Sequence, residues 1–194
     1  MPQNTRPSPQ CFITDILRNR YNRAILEAWD GLDLRDGWLV AGCLFQTVWN
    51  LRVQRAPEDG IKDYDILYFD ADDLSEEAEA RVQARVDRAL GSLGVPIEVR
   101  NQARVHLWYE AHFGYPYPQL ASAREGIDRF LIPSTCVGVR PKDQGHELYC
   151  PNGLPALYAG RLTPNPLTHH LPLFRAKADS YRNRWDWLEM HAET

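Results

Sequence analysis

The sequence lacks the features that would define a disulfide scaffold, a membrane protein or a general nucleic-acid binder. Its four cysteines, Cys11, Cys43, Cys136 and Cys150, lie far apart. That spacing gives neither the density of a secreted scaffold nor the close pairs of a zinc site, so reduced thiols are expected. No run approaches the roughly 18 apolar residues that span a bilayer. Met1 to Gln10 is polar and proline-rich rather than apolar behind a basic flank, so a soluble cytoplasmic protein away from membranes is expected. Positive charge is also scarce, with 22 Lys and Arg against 26 Asp and Glu and a net charge of -4. Affinity for a phosphate backbone comes from many cations releasing counterions, so a long nucleic acid is not the expected partner.

What is present suits one packed domain with appendages. The 194 residues are 44% hydrophobic and 25% charged, with six Trp and nine Tyr, close to the averages of globular chains. A body over residues 11–160 is expected. Residues 161–194 read as a proline-rich connector, Thr163-Pro164-Asn165-Pro166, and a terminal helix docked on the same body through Trp185 and Leu188.

Periodicity places the elements. Phe12, Ile13, Ile16, Leu17, Tyr21, Ile25, Ala28 and Trp29 recur at helical spacing and predict one amphipathic helix from Cys11 to Trp29. Trp38-Leu39-Val40-Ala41 predicts a strand, Gly42-Cys43 a tight turn and Leu44 to Leu51 a helix. Asp73 with Glu76 predicts a capped helix down to Leu93, ended by Gly94-Val95-Pro96, and Ile97 to Arg100 alternates as a strand. Ser122 with Glu125 predicts a helix over Ala123 to Phe130. Cys136 to Arg140 and His146 to Cys150 predict a strand pair, followed by a turn at Asn152-Gly153.

The chemistry concentrates in the run from Ile61 to Asp70. Alternate residues of a strand share a face, so Asp63 and Asp65 project together. Paired hard oxygen ligands suit Mg2+, and Glu98, in the middle of the next strand, is the best third carboxylate. Spacing alone is weak: with fifteen Asp in the chain, roughly one Asp-x-Asp arises by chance, and Asp70 with Asp72 is a second. The competing reading is an edge strand whose carboxylates face water and pair with Lys62 or an arginine. Asp70, Asp72 and Asp73 read as turn and cap residues. His169, His170 and His191 have no partners at ligand spacing and read as surface residues.

The order of a strand, a small-residue turn at Val40-Ala41-Gly42-Cys43, Asp63-Tyr64-Asp65 and Ile97-Glu98-Val99 resembles the DNA polymerase beta-like nucleotidyltransferase superfamily. Further runs are similar to a family of small bacterial nucleotidyltransferase family proteins: Val48-Trp49-Asn50, Asp63 to Asp70, Val99 to Tyr109 and Tyr149 to Leu154. The similarity covers roughly residues 12 to 167, and its most specific part is Asn101-Gln102-Ala103-Arg104.

The resemblance implies an α+β fold: a mixed, mostly antiparallel sheet flanked by helices, with a C-terminal helical extension. It also implies transfer of a nucleoside monophosphate from an NTP to an acceptor by two metal ions, Mg2+ or Mn2+, with loss of pyrophosphate. Asp63, Asp65 and Glu98 would be the metal-binding and catalytic acids, with Glu98 on a second ion or acting as base. Gly42, Cys43, Lys62, Arg100 and Arg104 would line the triphosphate, and Asn101, Gln102 and His106 the acceptor pocket, the competing reading of the two amides being that they satisfy buried backbone. A small molecule or a protein side chain is the expected acceptor. Two departures, Cys43 where Ser or Gly is usual and Glu98 where Asp is commoner, support an alternative. That alternative is a catalytically weak nucleotide-binding or regulatory protein that keeps the fold.

Overall fold

The first helical stretch is broken where a buried asparagine caps a second helix. In the computed structural model, which describes residues 7–168 and 170–191, α1 spans Pro9–Ile16 and α2 Arg20–Glu27. Asn19 between them is fully buried. Its side chain accepts from the amides of Tyr21 and Asn22 and donates to Thr47 Oγ1 and Tyr64 Oη. The single helix expected over Cys11 to Trp29 is therefore two. The apolar period runs through the break because Phe12, Ile16, Ile25 and Leu26 pack into the same core.

Strand β1 (Trp38–Val40) leads directly into α3 (Gly42–Arg52), then β2 (Tyr64–Tyr68), α4 (Glu76–Leu90) and β3 (Ile97–Asn101). Ser75, rather than Asp73, caps α4, accepting from the Ala78 amide, while Asp73 accepts from the Ser75 amide and hydroxyl. A 3-10 turn over Gln102–Leu107 and a short α5 (Tyr109–Phe113) follow. Helix α6 (Ala123–Ile127), capped by Ser122, stops before Phe130. The hairpin of β4 (Gly138–Lys142) and β5 (Gly145–Tyr149) precedes α7 (Leu154–Ala159), β6 (Arg161–Leu162), α8 (Leu171–Arg182) and β7 (Glu189–Met190).

The main sheet has the order β3-β2-β1-β4-β5. Its β1–β2, β1–β4 and β4–β5 pairs are antiparallel and β2–β3 is parallel. The parallel pair requires a crossover, and α4 provides it. Leu39, Tyr64, Ile66, Tyr68, Val99 and Val139 face the helices of the larger core, whereas Trp38, Val40 and Leu67 face a smaller cluster around α6. Asp65 and Glu98 are direct partners across β2 and β3, so both project from the α6 face.

The C-terminal segment closes the larger core. Phe174, Ala178 and Tyr181 of α8, with Trp185 and Leu188 beyond it, belong to the same buried cluster as Phe12 and Trp49. Trp185 stacks edge-on to Trp49, with centroids 5.3 Å apart, and its indole N–H donates to Asn50 Oδ1. Each such side chain contributes about 1.5–3 kcal/mol when removed from water, which holds α8 against the body.

Candidate active site

Asp63 and Asp65 line a cleft of about 340 Å³ between the β1–α3 turn and α8. Ala41 and Gly42 form its floor, Phe45 and Gln46 come from α3, and Lys177 and Tyr181 close it from α8. Tyr109 and Phe113 of α5 and the segment Arg129 to Ile132 complete the wall. The strand carrying the acids is interior, between β1 and β3, so the edge-strand reading does not apply.

The two carboxylates stand outside the ion pairs of the described residues, and no described side chain or amide donates to them. Asp65 is consequently a strained anion. Burial, reinforced by the neighbouring charges of Asp63 and Glu98, pushes its pKa up to about 7, against the opposing pull of Lys177 and Arg100. A half-buried carboxylate pair with no ion-pair partner among the described residues is the donor set that a hard divalent ion would relieve. Among the described residues no three His, Cys, Asp or Glu side chains converge on one point. The residues that could hold such an ion are Asp63 and Asp65, and water and substrate oxygens would have to fill its remaining positions.

Glu98 lies directly across from Asp65, but its half-exposed carboxylate accepts from Arg100 Nη2 at 3.3 Å. The third acid is therefore adjacent in register and turned to a different partner.

The β1–α3 turn sits one residue earlier than expected. Ala41 has φ 57° and ψ -126°, a conformation that favours glycine. Gly42 is the first residue of α3, and the first helical bonds run from the Leu44 and Phe45 amides to Ala41 O. The amides of Gly42 and Cys43 are thereby left outside the helical ladder. Cys43 is fully buried and its thiol donates to Val40 O. Burial first, then the Asp65 charge, raises that thiol's pKa well above its ordinary value. The turn pair is thus Ala41-Gly42, and the Cys43 side chain packs in the core rather than touching a ligand.

The other residues singled out from the sequence lie elsewhere. Lys62 is exposed and outside the cleft lining. Arg104 is 7% exposed and donates to Glu79 Oε2 at 2.7 Å and to Leu74 O, so its charge is spent locking α4 to the turn after β3. Asn101 grips the backbone of Asp70 through both the Asp70 amide and carbonyl, and also accepts from the Ala103 amide. It is a backbone clamp at the far end of β2. Gln102 packs against Gly126, where a Cβ would come within 2.1 Å of its Oε1. His106 has a buried Nδ1 without a partner among the described residues. None of Arg104, Asn101, Gln102 and His106 lines the cleft.

His170 is buried and bonded to Tyr109 Oη, a correction to the surface reading, while His191 is exposed and His169 lies outside the described residues. Sequence reading missed the cleft's own cations, Lys177 and Arg129, together with Gln46 and Tyr181. No motif marks them, since each is brought in from a distant segment by the packing of α3, α6 and α8.

A family model described as nucleotidyltransferase matches residues 27–190. The chain belongs to this nucleotidyltransferase family. Among solved structures, one described as revealing a CCA-adding enzyme head domain is similar over 98% of this chain and 99% of that one, with a TM-score of 0.77 and 25% identity. The fold of this nucleotidyltransferase is accordingly the polymerase beta-like one, with its mixed five-stranded sheet and helical C-terminal part. No curated protein matches the chain. Among the described residues no helix is long and apolar enough to cross a membrane.

Proposed function

We propose that the chain transfers a nucleoside monophosphate from an NTP to a small-molecule or protein acceptor, with the Asp63–Asp65 cleft as the active site. The observation that carries this reading is the unpaired, partly buried carboxylate pair facing Lys177 and Arg129 in a chain of this family. A Mg2+ or Mn2+ ion held by Asp63 and Asp65 would supply charge neutralisation for the phosphates. Lys177 and Arg129 hold the outer phosphates by charge. Phe45, Phe113, Phe130 and Tyr181 provide flat apolar surface for a base. The acceptor's nucleophilic atom bonds to the α phosphorus, and the bond to the bridging oxygen of pyrophosphate breaks. Glu98 can act as the base or as a ligand for a second ion once it exchanges Arg100 for that partner.

A second reading, a nucleotide-binding regulator without transfer, is favoured by one observation: the Glu98 carboxylate is paired with Arg100 rather than turned to the acids. Incubation with NTP labelled at the α phosphate, Mg2+ and cell extract separates the two. The transferase reading expects label on an acceptor with wild type and none with Asp65→Asn. Nucleotide binding without label transfer supports the regulator, and label transfer that persists in Asp65→Asn overturns the role of that residue.

A further inference from the structure

One cleft residue is oriented with unusual definition by groups that the proposed reaction does not use. Gln46 is 8% exposed and lines the cleft. Its Oε1 accepts from Arg184 Nη1 at 2.8 Å. A guanidinium only donates, so the carboxamide oxygen must face Arg184 and the NH2 group must point away from it. Arg184 is itself fixed: Nη2 donates to Gly60 O at 2.8 Å, and the guanidinium lies 4.1 Å from the Trp185 ring centroid.

The Gln46 NH2 group folds back over the start of α3. A Cβ placed on Gly42 would lie 2.7 Å from Nε2, so the missing side chain of Gly42 is the space the amide occupies. Among the described residues no acceptor bonds to Nε2. The result is an unpaired donor on a side chain that is 8% exposed, beside Gly42, whose amide lies outside the helical ladder, and in the cleft that holds Asp63 and Asp65. An unpaired side-chain N–H beside the Gly42 amide at the start of a helix suits an anionic oxygen.

We propose that the Gln46 carboxamide donates to a phosphate oxygen of the bound nucleotide, that Arg184 is its positioning residue, and that Gly42 is side-chain-free to admit it. The proposal rests on the nucleotide-binding reading of the cleft and adds a recognition residue that motif spacing does not mark.

Calorimetry on the full chain with ATP, CTP, GTP and UTP in Mg2+ tests it. Gln46→Leu is expected to weaken all four nucleotides by about tenfold, the size of one hydrogen bond to a charged oxygen. Gln46→Glu keeps an acceptor for Arg184 and therefore the fold, and is expected to weaken binding further by repulsion. Gly42→Ala, which displaces only the end of a flexible side chain, is expected to match Gln46→Leu, and the double variant to be no weaker than either single one.

Wild-type affinity in Gln46→Leu and Gln46→Glu would overturn the proposal while leaving the nucleotide site standing. A loss confined to one base would overturn it too, because the amide would then read the base. Additive losses in the double variant overturn the coupling to Gly42. If wild type binds none of the four nucleotides, the reading of the cleft itself fails and the proposal falls with it.

Discussion

Strand β2 carries an Asp-x-Asp pair at each end, and the two pairs have opposite fates. At its start Asp63 and Asp65 sit in a cleft with no ion-pair partner among the described residues. Beyond its end Asp70 and Asp72 both pair with Arg35, and Asp73 pairs with Arg81. Asp70 and Asp73 also line a cleft, of about 640 Å³, with Asp33, Arg35, Arg81 and Arg85. That cleft is larger, yet its charges are matched within the protein: Arg85 faces Asp33 as Arg35 faces Asp70. Volume and acidic spacing are therefore poor guides to the site. What separates the two ends is uncompensated charge, because a buried carboxylate left without a cation costs stability and persists where a ligand supplies the missing charge.

The largest test of this contrast exchanges one acid at each end. Asp65→Asn is expected to reduce label transfer from NTP by at least about 100-fold, and Asp72→Asn to leave it unchanged. Equal losses at both ends would remove the distinction.

Stability against pH sharpens it further. The Asp65 carboxyl is raised from an ordinary 3.8 to about 7, so the folded chain retains a proton there that the unfolded chain releases. In metal-free buffer its contribution to stability therefore falls as pH rises from about 4 through about 7. Melting curves of wild type and Asp65→Asn are expected to converge at low pH and to separate above 7, with the variant more stable. Added Mg2+ is expected to raise the wild-type Tm above pH 7 and to leave the variant's largely unmoved.

At the compensated end the expected effects are on the fold alone. Asn101→Ala removes the partners of the Asp70 amide and carbonyl and of the Ala103 amide. Urea unfolding is expected to show a loss of about 1–3 kcal/mol, with nucleotide affinity retained. A fall in affinity without a fall in stability would return Asn101 to the site. The smallest effect is expected at Ala41, where glycine relieves the positive φ. Ala41→Gly is expected to add up to about 1 kcal/mol of stability, since released strain exceeds the extra unfolded-state entropy.

The same contrast explains what could be read from the sequence. Alternation within an apolar run was enough to put Asp63 and Asp65 on one face, and the strand at Ile97 to Arg100 enough to bring Glu98 beside them. The hairpin of β4 and β5 and the Ser122 cap follow from equally local signals. Pairing between distant side chains has no such signal. Arg104 and Asn101 belong to the most specific motif in the chain, and their residue types suit ligand contacts as well as they suit Glu79 and the Asp70 backbone. The Gln46–Arg184 bond joins residues 138 positions apart, and only tertiary packing reveals it. Local pattern locates the acids, whereas their surroundings depend on which charges elsewhere are already satisfied.

Helix α8 supplies Lys177 and Tyr181 to a cleft whose acids lie more than a hundred positions earlier. During synthesis the sheet strands and both aspartates emerge well before that wall exists. The wall of the cleft is therefore complete only once α8 has been made and docked, and on the proposed reading of the cleft nucleotide capture waits for that step.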